Sequence, residues 1–102
     1  MSDLHTVNKS PFEKPSLDTC LRLSKPGSSI LLYEDAVYAA LTGTSVTDKV
    51  AGILGERKVY VLEPDFKARG LKPERLIDGV EMVDYAGFVD LVDACDKVQA
   101  WL

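Results

Sequence analysis

The run Ser29-Ile30-Leu31-Leu32-Tyr33 is the strongest structural signal in the chain, because it is short, almost wholly apolar and follows a turn. Such a run, preceded by Pro26-Gly27 and ended by Glu34-Asp35, is typical of a strand buried on both faces of a parallel sheet. The run Lys58-Val59-Tyr60-Val61-Leu62 is rich in β-branched and aromatic residues and predicts a second strand of this kind.

Segments on either side of these runs extend the pattern into an alternation of strands and helices. Further strands are predicted at residues 4–7, 80–83 and 98–102, the last as an edge strand or a C-terminal interface segment. Helices are predicted at residues 17–23 with Ser16 as N-cap, at 64–68 before Gly70, and after the cap Asp84. Residues 36–41, with Asp35 as cap, and residues 46–54 are two short helices or one broken helix, and residues 73–78 are loop or a short helix. The last helix carries one apolar stripe, formed by Tyr85, Phe88, Leu91, Val92 and Cys95.

This alternation implies βαβ crossovers and therefore an α/β fold. We expect a small, mostly parallel sheet flanked by helices on both faces, with flavodoxin-like or Rossmann-like layers. At 102 residues the chain has room for a single domain, residues 1–102. A domain of this size gains stability from a large subunit interface, so oligomerisation is plausible.

The composition narrows the class of function. Hydrophobic residues make up 46% and charged residues 27%, as in soluble globular domains. The net charge of −4 offers no basic footprint for nucleic acid or an anionic membrane, so neither is expected as a direct partner. No run of 18 apolar residues exists, and residues 1–5 lack the pattern of an export signal, so we expect a cytoplasmic protein.

Motifs for common cofactors and metals are missing from the sequence. Cys20 and Cys95 are far apart with no CxxC, and His5 is the single histidine, which excludes the usual zinc spacings and a disulfide framework. We therefore expect two free thiols, no metal and no cofactor. The chain also lacks GxGxxG, GxxxxGK[ST] and GxSxG, so nucleotide binding and serine hydrolysis have no motif to support them.

Cys20 is the first candidate for chemistry. A thiolate near the start of a helix is stabilised by the helix dipole and could carry persulfide sulfur. The spacing of Cys20 with Leu17 and Leu21 favours the alternative, that its thiol packs in the core. Cys95 lies on the stripe of the last helix, and core packing is favoured for it as well.

Four further features have a functional and a structural interpretation each. His5 could act as a general base, although an imidazole without a nucleophile motif is more often structural. Glu34 and Asp35 follow a strand, where α/β sheets bind ligands, but capping by Asp35 is favoured. Arg69 and Gly70 could bind an anion or simply end a helix, and Trp101 requires cover from a neighbouring subunit or from the domain's own sheet.

Five blocks of sequence, in order along nearly the whole chain, resemble the DsrH/TusB family, the smallest of three related subunits in DsrEFH and TusBCD complexes. The blocks are LHTVNKSP at residues 4–11, LYEDAVYAA at 32–40, VYVLEPDFKARGL at 59–71, DYAGFV at 84–89 and QAW at 99–101. The resemblance implies a DsrE-like fold and a heterohexamer with DsrE/TusD-like and DsrF/TusC-like sister subunits. It also implies that persulfide sulfur passes to a DsrC/TusE-like carrier.

In such complexes the main sulfur-carrying cysteine lies on the DsrE/TusD-like chain, so the resemblance implies a non-catalytic accessory subunit of a sulfurtransferase complex. The acceptor pathway is either the wobble uridine of transfer RNA or intracellular sulfur oxidation. DsrH-like members carry a cysteine in the first helix, so Cys20 favours sulfur oxidation. Two alternatives remain open: an independent persulfide carrier that uses Cys20, and a purely structural interaction module.

Overall fold

The computed structural model describes residues 3–102. Met1 and Ser2 lie outside the described residues, so the first part of the segment that was expected to lack an export signal is not described. Five strands alternate with helices, which confirms the predicted α/β class. The strands are β1 Asp3–Val7, β2 Ser29–Leu32, β3 Lys58–Leu62, β4 Glu81–Val83 and β5 Lys97–Trp101. The α-helices are α1 Ser16–Leu23, α2 Thr47–Ile53, α3 Glu63–Ala68 and α4 Tyr85–Ala94, and 3-10 helices cover Glu34–Ala40 and Pro73–Arg75.

All strands run parallel, in the order β4-β3-β2-β1-β5. The register aligns His5 with Ile30 of β2 and Gln99 of β5, and Ile30 in turn with Val59 of β3. Since side chains alternate along a strand, these residues share one face of the sheet. Their neighbours Leu4 and Leu31 point to the other face.

The two faces are covered unequally. The His5 face packs under α1, α2, α3 and the 3-10 helix Glu34–Ala40, and forms the main core with Val7, Ile30, Leu32, Val59 and Val61. Because β4 and β5 lie at opposite edges and crossovers are right-handed, α4 must cross the other face. Leu4, Leu31 and Leu62 are buried there, which confirms helices on both faces.

Helix boundaries show where local signals were read correctly and where they were not. Asp84 caps α4, since its Oδ1 accepts the Gly87 N–H at 2.8 Å. The prediction of Ser16 as N-cap was wrong: Pro15 holds that position, and the Ser16 hydroxyl instead donates to the Leu102 carbonyl at 3.2 Å. Asp35 caps nothing either, because Tyr33 precedes the 3-10 helix and the Asp35 carboxylate is held by Arg69.

The last predicted segment forms the edge strand β5, paired with β1 on one side. Trp101 is its half-buried residue and packs against the main core, so the domain's own sheet covers the indole in part. Among the described residues, no helix combines the length and apolar character needed to cross a bilayer.

Candidate functional site

Cys20 lies in the core. Helix α1 turns Leu17 and Cys20 inward, and the Cys20 side chain is 0% exposed. Burial raises the pKa of its thiol to about 12, and the nearby positive charge of Arg57 offsets this only in part. In this conformation the thiol is protonated and shielded at neutral pH, which is the environment of an inert structural cysteine.

Arg57 places a cation one helical turn from Cys20. Its Nη2 donates to the Ser24 carbonyl at 2.6 Å, and the Ser24 N–H in turn donates to the Cys20 carbonyl at 2.8 Å. Nη1 lies 3.5 Å from a Glu56 carboxylate oxygen, and the Arg57 side chain is only 10% exposed. No local pattern marks this residue in the sequence, because a single arginine between Glu56 and Lys58 resembles ordinary surface charge.

His5 and Trp101 form a hydrogen-bonded pair. The Trp101 Nε1–H donates to His5 Nδ1 at 3.0 Å, and the two rings are 6.0 Å apart between centroids at an angle of 29°. Because indole nitrogen can only donate, Nδ1 must be the acceptor and the proton of the neutral imidazole sits on Nε2. Neither nitrogen is then free to accept a substrate proton, so the geometry supports the structural interpretation of His5.

The surroundings of His5 keep it neutral. Burial lowers its pKa, Asp3 raises it and Arg57 lowers it further. Within residues 3–102, Nε2 is buried with no hydrogen-bond partner. A cavity of about 150 Å³ adjoins the ring and is lined by Asp3, His5, Lys97, Val98 and Gln99. It opens beside β1 and β5 at their amino-terminal halves, whereas sheets of this class bind ligands at the carboxyl ends.

The carboxyl ends of β2 and β3 carry a brace of polar contacts. Arg69 donates from Nε and Nη2 to Asp35 Oδ1 at 3.2 and 2.9 Å, and from Nη1 to the Asp65 carbonyl at 3.1 Å. Asp65 Oδ2 accepts the backbone N–H of Glu34 at 2.7 Å, and Glu34 has a left-handed φ of 49°. Arg69 is thus engaged with Asp35, and the prediction of an anion-binding corner at Arg69 and Gly70 is not supported.

Cys95 follows α4 and is half-buried, so its side chain is less enclosed than that of Cys20. The expected core packing of Cys95 is therefore only partly realised. In the part of the chain that the structure describes, no three His, Cys, Asp or Glu side chains are grouped in a way that could hold a metal ion.

Arg57 acts on two of the candidate residues, because its charge affects the pKa of both His5 and Cys20. His5 is also hydrogen-bonded to Trp101, whereas Glu34 is bonded to Asp65 at the carboxyl ends of β2 and β3. Pairing of residues so distant in sequence leaves no local signal.

Comparisons with a family model and with individual proteins identify the same family. The family model described as DsrH-like protein matches residues 9–98. A protein named TusB from Pectobacterium parmentieri is 36% identical over 98 residues, which cover 96% of this chain and 99% of the relative. A protein of the same name from Escherichia coli O81 is 34% identical over the same shares of both chains.

Two solved structures share the fold of this chain. The crystal structure of the ychN protein from E. coli superposes with a TM-score of 0.82 at 27% identity and covers 98% of this chain and 99% of that chain. The protein MTH1491 from Methanobacterium thermoautotrophicum has a TM-score of 0.73 at 14% identity, with 96% of each chain covered, and shows the shared fold alone.

Proposed function

The chain belongs to the DsrH/TusB family, and we propose that it is an accessory subunit of a cytoplasmic persulfide-relay complex of the DsrEFH/TusBCD type. One observation carries this proposal: the family match runs through residues 9–98 and the curated relatives align over nearly their full length.

The proposed partners are a DsrE/TusD-like and a DsrF/TusC-like sister subunit in a heterohexamer, together with a DsrC/TusE-like sulfur carrier. In this proposal a sister subunit carries the sulfur and this chain supports the assembly, which fits the surroundings of Cys20 and His5. The thiol of Cys20 is fully buried, and the single imidazole is hydrogen-bonded to Trp101. Apolar side chains on α4 and β5 are exposed, which is the condition expected of a chain that is completed by neighbours.

In the alternative function, an independent persulfide carrier, Cys20 would carry the sulfur. Its burial argues for a packing role in the isolated chain, and a carrier role would require α1 to open and the thiol to lose its contacts. The purely structural alternative needs no such motion. Alkylation of the native protein separates these two alternatives and is described below.

The pathway of the proposed complex has two branches. The name TusB of the curated relatives supports thiolation of the transfer-RNA wobble uridine. Cys20 in the first helix supports intracellular sulfur oxidation, because DsrH-like members carry a cysteine there. Deletion of the gene in its host tests both branches: loss of 2-thiouridine from transfer RNA assigns the first, and loss of sulfur oxidation with thiouridine intact assigns the second.

The proposal is tested by co-expression of the chain with its two sister subunits and the carrier. Native mass spectrometry should find a complex with two copies of each of the three subunits, and omission of this chain should prevent its formation. If the sister subunits assemble and transfer sulfur to the carrier without this chain, or never bind it, the proposal is wrong.

A further inference from the structure

Helix α4 is the least enclosed α-helix among the described residues, since α1, α2 and α3 each have at least one buried side chain. It is the crossover on the second face of the sheet, yet within residues 3–102 none of its own side chains is buried. Phe88 and Leu91 are half-buried. The side chains of Tyr85, Val89 and Val92 are 59%, 56% and 37% exposed, and their spacing of four and three residues places them in one row.

Charge is distributed unevenly around this row. Residues 84–96 contain four aspartates, Asp84, Asp90, Asp93 and Asp96, and no lysine or arginine. The chain has 16 acidic and 12 basic residues, so outside this segment 12 acidic and 12 basic residues balance. The whole formal charge of −4 is therefore concentrated on α4 and its two ends.

Asp90 and Asp93 are exposed and stand one turn apart on the same helix. Asp93 follows Val89 by four residues, so its carboxylate borders the apolar row. The result is an apolar strip with an acidic margin, here called the α4 strip (Tyr85, Val89, Val92, Asp90 and Asp93). An apolar centre with a charged rim is the usual anatomy of a protein interface.

We infer that the α4 strip docks a sister subunit that presents an apolar surface bordered by lysine or arginine side chains. This inference rests on the proposed function, since it names the surface through which the chain would join its complex. A cationic rim would neutralise the concentrated carboxylates and steer association, while the apolar row would supply the buried area.

Charge also decides between possible occupants. A second copy of the chain would bring its own aspartates against Asp90 and Asp93, and like charges across an interface disfavour that pairing. Nucleic acid and anionic lipid would be repelled in the same way. A heterologous protein with the opposite charge is the occupant that the strip fits.

The test uses the full chain and its two co-expressed sister subunits. Asp90→Lys/Asp93→Lys reverses the margin, and Glu13→Lys/Glu74→Lys makes the same change of charge at two exposed residues outside α4. Val89→Asp places a charge in the apolar row of α4. Its control, Leu23→Asp, places the same charge at an equally exposed apolar residue of α1. Circular dichroism and thermal unfolding of each isolated variant confirm that it is folded before binding is measured.

We expect each α4 variant to weaken binding to the sister subunits at least tenfold, and the Val89→Asp change to approach the roughly thirtyfold loss of an interface hot spot. The matched controls should bind within about twofold, and added salt should weaken the wild type more than Asp90→Lys/Asp93→Lys.

Wild-type assembly with unaffected α4 variants would overturn this inference and leave the proposed function standing. Failure of the wild type itself to bind would overturn the proposed function. Analytical ultracentrifugation of the chain alone tests whether a second copy binds the α4 strip. A homodimer that dissociates in the Val89→Asp variant would assign the strip to a second copy and contradict the inference.

Discussion

The indole N–H of Trp101 is hydrogen-bonded to Nδ1 of His5 at 3.0 Å, across a separation of 96 residues. This bond joins the edge strand β5 to the neighbouring strand β1. Apart from Trp101, the residues of β5 are exposed. Besides the backbone pairing with β1, this side-chain bond is the main contact that holds β5 in the sheet. The stability of β5 therefore depends on the protonation state of His5.

Stability should fall in mild acid because of His5. Burial, partly opposed by Asp3 and aided by Arg57, lowers its pKa below the ordinary 6.5. The unfolded chain then binds the proton first, so stability is fully present above about pH 6.5 and declines as the pH falls toward the lower folded-state pKa. Urea unfolding between pH 5 and 8 measures this decline.

The matched control for that experiment is His5→Gln, which removes the one imidazole and keeps an oxygen able to accept from Trp101. Carboxylates contribute equally to both proteins, so the difference between the two curves isolates His5. A wild-type curve parallel to that of the variant across this range would show that His5 is not coupled to folding.

Removal of the indole N–H alone should destabilise the fold. Trp101→Phe keeps an aromatic ring against the core but leaves the buried Nδ1 of His5 without its donor, which costs about 1–3 kcal/mol of unfolding free energy. Chemical denaturation at pH 7.5 measures the change. A loss below about 0.5 kcal/mol would mean that water replaces the indole without penalty.

The two thiols should differ in reactivity. A brief pulse of iodoacetamide on the native chain should label the half-buried Cys95 and leave Cys20 unmodified until denaturant is added, since burial raises the pKa of Cys20 to about 12. Intact-mass spectrometry of the wild type, Cys20→Ala and Cys95→Ala assigns each label. Rapid native labelling that disappears in Cys20→Ala would instead identify an accessible, activated Cys20.

The contacts of Arg69 at the carboxyl ends of β2 and β3 should stabilise the fold slightly more than the exposed Lys67–Glu63 pair does. Arg69 makes three hydrogen bonds that span Asp35 and Asp65, and its side chain is 24% exposed. Because the Asp35 carboxylate is largely in solvent, we expect Arg69→Ala to cost only about 1 kcal/mol of unfolding free energy.

Lys67→Ala is the control for Arg69→Ala, because Lys67 and Glu63 form an exposed pair on the same helix at 3.6 Å. Its removal should change the unfolding free energy by less than about 0.5 kcal/mol. Equal effects of the two substitutions would show that Arg69 contributes charge alone and does not brace the strand ends.

Local sequence patterns were sufficient to predict the positions of the strands and most of the helices. The apolar runs at β2 and β3 identify buried strands because a strand covered on both faces has no polar positions, and Asp84 identifies the start of α4 because its carboxylate can satisfy a free N–H there. The prediction of Ser16 as N-cap failed because the helix begins one residue earlier than expected. A serine hydroxyl can cap a helix, but Pro15 occupies the cap position and Ser16 is the first helical residue.

Relations across the sheet could not be predicted in this way. The His5–Trp101 bond and the approach of Arg57 to Ser24 depend on strand order, which the apolar pattern does not encode. The stripe of α4 also divides differently from its sequence pattern. Phe88 and Leu91 are half-buried and Tyr85 and Val92 are exposed, because a helix that crosses one face of a sheet is shielded only on the side toward the strands.

Sulfur transfer by the reconstituted complex is the most direct test of an accessory role for this chain. The complex should be assembled with wild-type chain or with Cys20→Ala, loaded by a persulfide donor, and followed by mass spectrometry of the DsrC/TusE-like carrier. We expect equal rates of persulfide arrival on the carrier with both proteins. Loss of transfer in the intact Cys20→Ala complex would contradict the accessory role and place this thiol in the relay.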